Sequence, residues 1–247
     1  MDTQKRLLFA SIAGIVVVVG VMIVVGRYLY VEKVRPAVEA AVNKVTETAD
    51  GIGSSPRLSQ DFPVSSLKTL VVEGGWEVSL TRGETATVHV EAPSGVIQDV
   101  RVESRDGNVT IGLVHEAKLL QGKLAARITS PALNRIEFRG GVNANIDGFV
   151  EPALWISLAG ATTVTGTGNR IENFTVNCAG AANVNFRGSK TTNATVTAAG
   201  ASNIVLTMNG GKLSGRLDGV GKVDYYGPVA SESIAVSGLG SVQAKGD

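Results

Sequence analysis

Hydrophobic and polar positions along this chain follow three regimes in turn. Leu7 to Gly26, LLFASIAGIVVVVGVMIVVG, is an apolar run of twenty positions without a charge. A helix of that length rises about 30 Å, the thickness of a bilayer's hydrocarbon core. Lys5 and Arg6 precede the run, and Arg27, Tyr28 and Tyr30 follow it as interfacial anchors. A cleaved signal peptide would have a shorter apolar core, roughly 7–15 residues, with a small-residue cleavage site close behind it. The pattern therefore predicts an uncleaved single-pass transmembrane helix. Next, Val31, Val34, Val38, Ala41, Val45 and Thr48 recur at spacings of three and four, interrupted by Pro36. That predicts a short helical stalk, either solvated or weakly oligomerising. The linker GIGSSP (51–56) ends it. From Arg57 onward the period is two, the mark of β-strands.

The C-terminal half repeats itself. LWISLAGATTVTG (154–166), FTVNCAGAANVNF (174–186), ATVTAAGASNIVL (194–206), LSGRLDGVGKVDY (213–225) and ESIAVSGLGSVQA (232–244) align without gaps. Their central glycines, Gly160, Gly180, Gly200, Gly219 and Gly238, lie 20, 20, 19 and 19 residues apart, and Gly140 continues the series upstream. Two residues before each glycine stand Leu158, Cys178, Ala198, Leu217 and Val236; four after it stand Val164, Val184, Ile204, Val223 and Val242. Apolar columns of this kind separated by Thr, Asn, Ser and Lys predict half-buried strands. A near-constant period of about twenty with no helical segment predicts stacked coils, each burying its core against its neighbours. The glycine column marks a turn or a close backbone approach. Thr163, Asn183, Asn203, Lys222 and Ser241, three past each glycine, form an expected polar ladder at a turn.

Upstream, LVVEGGWEVSL (70–80) fits the same template, with Trp76 in the inward register, while ATVHVEA, VRVES, NVTIGL and KLAARIT are shorter alternating strands. The expected fold is all-β: a single-stranded, right-handed parallel β-helix preceded by the transmembrane helix and stalk. The expected divisions are 1–27 (cytoplasmic tip and span), 28–56 (stalk and linker), 57–135 (an irregular β half capping one end) and 136–247 (glycine-centred coils).

Composition narrows the function. The chain has 247 residues, a formal net charge of +1 and one cysteine. From Arg57 onward 17 basic residues face 17 acidic ones, so no field favours nucleic acid. The acids of the repeats, Asp147, Glu151, Glu172, Asp218, Asp224 and Glu232, form no Asp-x-Asp pair and no two-acid column in adjacent coils. Glycoside hydrolysis needs two carboxylates held about 5–9.5 Å apart, so a hydrolase or lyase is disfavoured. His89 and His115 have no partner at metal-ligand spacing, and Cys178 fills an apolar column. No catalytic residue, metal or cofactor is expected. Trp155 lies in the outward register between Leu154 and Ile156, which makes it the candidate contact for a glycan or protein ligand.

The sequence FPVSSLKTLVVEGGWEVSLTRGETATVHVEAP, then VESRDGNVTIGL, then the coils AGAANV, AGASNI, DGVGKV and SGLGSV, resembles the bacterial Putative auto-transporter adhesin, head GIN domain family over roughly residues 59–245. The resemblance implies a parallel β-helix in an exported or envelope protein. The expectation is a non-catalytic binding or adhesion module, held in a bacterial cell membrane by residues 7–26, with the C-terminal domain in the periplasm or outside the cell. A self-assembling scaffold is the alternative, with homo-oligomers forming through stalk, span or coil ends.

Overall fold

Short strands joined by two-residue turns can only return antiparallel, whereas twenty-residue repeats bring each strand back parallel to its predecessor. This chain contains both, and its architecture follows from the difference. The computed structural model describes residues 56–115 and 123–246. They form ten strands: β1 (Arg57–Pro63), β2 (Thr69–Arg82), β3 (Thr87–Pro93), β4 (Val100–Arg105), β5 (Asn108–Leu113), β6 (Leu124–Ser130), β7 (Arg135–Asp147), β8 (Val150–Met208), β9 (Lys212–Tyr226) and β10 (Ser231–Lys245). A single 3-10 turn spans Ile97–Asp99. The sheet runs β1-β3-β6-β2-β7-β8-β9-β10, with β5 also on β2 and β4 on β5.

The expected all-parallel, right-handed β-helix is therefore corrected: the sheet is mixed. β1 pairs antiparallel with β3, β3 with β6, and β4 with β5. The cause is local at β4–β5. Asp106 and Gly107, with φ of +51° and +79°, form the two-residue turn between them, and two consecutive left-handed residues make the hairpin turn that matches strand twist. The expected span (7–26) and stalk (28–56) lie outside the described residues, apart from Pro56. Among the described residues, no helix is long and apolar enough to cross a membrane.

From β2 onward the pairing is parallel and in register, Gly74↔Gly140↔Gly160 at one end and Gly200↔Gly219↔Gly238 at the other. β8 is 59 residues of continuous extended backbone, which would reach about 195 Å if straight. Instead it returns over itself every twenty residues. A Cβ placed on Gly180 would lie 2.5 Å from the Gly160 carbonyl oxygen, and one on Gly160 equally close to that of Gly140. These glycines have φ between +111° and +126°, which a residue with a Cβ rarely adopts.

Inward columns are dry. Leu70, Ile136, Ile156, Val176 and Val196 are fully buried, as are Val164, Val184, Ile204 and Val223. Two past each glycine the interior narrows through Trp76, Val142, Thr162, Ala182, Ser202 and Gly221. Phe186 fills the space above Gly166, where a Cβ would strike its ring, and its centroid lies 4.6 Å from that of Phe174. Several polar side chains are built into this core, Asn169 and Ser189 among them. Asn169 accepts from the Phe149 N–H at 2.9 Å and donates to the Ile146 carbonyl and the Ser189 hydroxyl, both at 2.9 Å. With its partners supplied, its burial carries little penalty.

Candidate binding surface

Outward side chains stack into columns because the coils are in register, with neighbours about 4.8 Å apart. The face preceding the glycines carries Trp155 directly beside Arg135 on the adjacent strand. The Arg135 guanidinium lies 3.5 Å from the indole centroid, a cation–π contact. Its Nε also donates to Glu137 at 2.7 Å. Glu137 accepts from Arg139 at 2.7 Å, and Arg139 donates in turn to Glu73 at 2.8 Å. The hydrogen bond from Arg135, then that from Arg139, holds the Glu137 carboxyl below the usual range against the opposing effect of its partial burial. Trp155 is thus half-buried, fixed on one face by a cation that is itself fixed by a carboxylate. Beyond it the same column continues as Thr175, Thr195 and Ser214, and the row beside the glycines runs from Arg139 through Ala159, Ala179 and Ala199 to Asp218, which pairs with Arg216 at 2.5 Å. The result is a platform of small side chains with an aromatic and charged rim at one end and the Arg216–Asp218 pair at the other.

The sequence singles out Trp155 as a candidate but not Arg135, Glu137 and Arg139, because the pattern does not say which strand lies beside the first repeat. The glycine column, Gly140, Gly160, Gly180, Gly200, Gly219 and Gly238, lines the bend between this face and the next. In the ladder expected three residues past each glycine, Asn203 donates to Asn183 at 3.0 Å. A second ladder runs alongside: Asn193 donates to Asn173 at 3.2 Å, and Asn173 to the Pro152 carbonyl at 3.0 Å.

A cleft of about 530 Å³ is lined by Glu151, Arg170, Glu172 and Lys190, among others. Glu151 is 7% exposed, and burial pushes its carboxyl above the usual range. One oxygen accepts from the Leu133 N–H at 2.9 Å, which makes it the acceptor for a loop amide. A wider cleft of about 910 Å³ lies against Phe62, Val64 and Ala86 at the β1 end.

The remaining candidates for chemistry are placed as follows. Trp76 is buried and donates to the Glu73 carbonyl at 2.9 Å. His89 pairs with Asp61 at 2.6 Å and His115 with Asp99 at 3.0 Å, partners that strand pairing and a loop supply. Among the described residues no group of three or more His, Cys, Asp or Glu is placed to hold a metal. Cys178 is buried, and burial pushes its thiol up to about 12.

The fold is similar to the crystal structure of a "putative adhesin" from Bacteroides fragilis, with a TM-score of 0.56 and 16% identity, covering 78% of this chain and 98% of that one. Similarity also extends to a "putative adhesin" from Parabacteroides distasonis (TM-score 0.42, 15% identity, 78% and 98% coverage). A "putative lipid binding protein" from the same species matches with a TM-score of 0.47 at 12% identity, covering 77% and 98%. No curated protein matches the sequence. The model of one family matches residues 66–202, more than half of the chain. This chain belongs to the Putative auto-transporter adhesin, head GIN domain family.

Proposed function

We propose that this chain is a non-catalytic binding or adhesion module of the bacterial cell envelope. It is tethered by residues 7–26 and displays residues 57–247 outside the cytoplasm. Family membership supports the class of role. The observation that carries it to a surface is Trp155, an aromatic ring held half-exposed at the rim of a small-residue platform by a stacked guanidinium. An indole so held offers an apolar surface to a sugar ring, and Thr175 and Thr195, which continue its column, offer hydroxyls. The ligand class is therefore a glycan.

Trp155→Thr tests this cleanly, since Thr175 and Thr195 already occupy the column in the next two coils. Titration of the full chain, detergent-solubilised, with envelope and host glycans should show binding that the variant weakens about tenfold, or ~1.4 kcal/mol. The melting temperature should barely change. Unchanged affinity would remove Trp155 from the site. An enzymatic reading would have to use Glu151 and Glu172, which line the same cleft. Release of reducing sugar that Glu172→Gln abolishes would replace the binding reading.

A further inference from the structure

The two ends of the sheet differ. At the β1 end the last strand is seven residues long and antiparallel. At the other end β10 runs fifteen residues, and among the described residues its only strand partner is β9. Its inward columns have lost their cover. Val236 continues the column of Ala198 and Leu217, both fully buried, yet is 42% exposed. Ile234 and Val242 are only partly buried, and Leu239 beside them is 80% exposed. This is an apolar core cut open, bordered by an unpaired strand edge.

We propose that the occupant of this edge is a second copy of the chain, docked β10 to β10, antiparallel, about a two-fold axis through Gly238. Three features select that partner. First, the edge is bent: Gly238 has φ of +115° at the middle of β10, so a pairing strand needs a bend at its own centre. A two-fold axis along the bisector of the bend maps β10 onto itself with its direction reversed, so a second β10 has the required shape. Second, the register about Gly238 matches inward residues to inward residues: Ile234 faces Val242 of the second copy, and Val236 faces its Gly240. Third, Glu232 continues the buried column of Ala194 and Leu213, a position where a carboxylate blunts an edge against indiscriminate pairing, and the two-fold register sets it opposite the small, exposed Ala244 of the second copy at the rim of the contact.

The contact is isologous and closes, so the assembly stops at two. Head-to-tail growth would set fifteen bent residues against the seven of β1. The proposal stands independently of any glycan site.

The test uses the full chain in detergent. Sedimentation over a wide concentration range should show a monomer–dimer equilibrium, and Val236→Lys, a charge at a position already 42% exposed, should weaken it at least tenfold without changing the melting temperature measured at concentrations where both proteins are monomeric. Ser237→Cys combined with Leu239→Cys places each introduced thiol opposite its counterpart in the second copy. Mild oxidation should yield a covalent dimer. The same two columns on β9, Asp218→Cys with Val220→Cys, should not cross-link. Cys178, buried and protonated, does not interfere. A dimer that survives Val236→Lys, or cross-links equally through β9, is held elsewhere, for instance by residues 1–56, and overturns the proposal. A chain that stays monomeric at every concentration leaves the edge to a different partner and also overturns it.

Discussion

Glu151 shows how one buried carboxylate can be read as chemistry and yet serve structure. Burial raises its carboxyl in the folded state, while the Leu133 hydrogen bond and the charge of Arg82 oppose that rise. A raised folded-state value favours the protonated form in the native protein. The stability this gives is complete below the unfolded value of about 4.3 and is lost as pH rises through the folded one. At neutral pH an ionised Glu151 is therefore a cost. Glu151→Gln keeps an oxygen for the Leu133 N–H and removes the charge, so its melting temperature at pH 7 should equal or exceed the parent's and lose the pH dependence. Glu151→Ala leaves a buried N–H without its acceptor and should be less stable by ~1–3 kcal/mol. If the Gln variant were the less stable of the two, the carboxylate would be doing something other than capping that amide. None of this is legible in the sequence, where Glu151 is one acid among several. What makes it special is Leu133, eighteen residues away and brought alongside by the stacking of successive coils. Trp155 was legible because a period-2 pattern assigns each residue a side; Arg135 was not, because the pattern does not say what lies across the ladder.

At the scale of elements, the glycine column decides whether one strand can stack on another. Gly180 combines a φ of +119° with a hypothetical Cβ only 2.5 Å from the Gly160 carbonyl oxygen. Gly180→Ala must therefore displace backbone, at ~1–3 kcal/mol for overpacking, and hold a left-handed conformation at ~1–2 kcal/mol more. Gly141 is a matched control one residue past the column: a Cβ there meets nothing within 4 Å, and its neighbours in register are Gly75 on one side and Ala161 on the other. Denaturant melts should show Gly180→Ala strongly destabilised and Gly141→Ala unchanged; equal midpoints would mean that the coils do not approach as closely as this. The repeat was readable because 20-residue spacing and alternation are both one-dimensional properties. Strand direction in the first half was not. ATVHVEA and KLAARIT alternate as cleanly as any coil, yet β3 pairs antiparallel with β1 and β6, and alternation is blind to direction. The turn at Asp106–Gly107 was the available signal, since two residues cannot make a parallel crossover.

For the whole molecule, the ends set the possible partners more than the faces do. One end is finished by short antiparallel strands, the other opens at β10, and the balanced charges between give no long-range steering toward polyanions. A surface of this kind recognises its ligand by shape and short-range contact, so what it can bind depends on which compartment it faces. Positive residues around the apolar run of 7–26 are more numerous after it than before it, which by the positive-inside rule would keep residues 57–247 in the cytoplasm, but that rule weakens for long translocated domains. The proposed envelope role requires the opposite side. Protease added to intact cells or spheroplasts producing the full chain with a C-terminal epitope should remove the epitope, with a cytoplasmic protein left whole as control. Protection until the membrane is broken would place the domain inside and end the glycan-adhesion reading. The β10 contact would survive that result unchanged, because it depends on Gly238, Val236 and Glu232 and not on the compartment; a domain that dimerised but lay inside would be a scaffold.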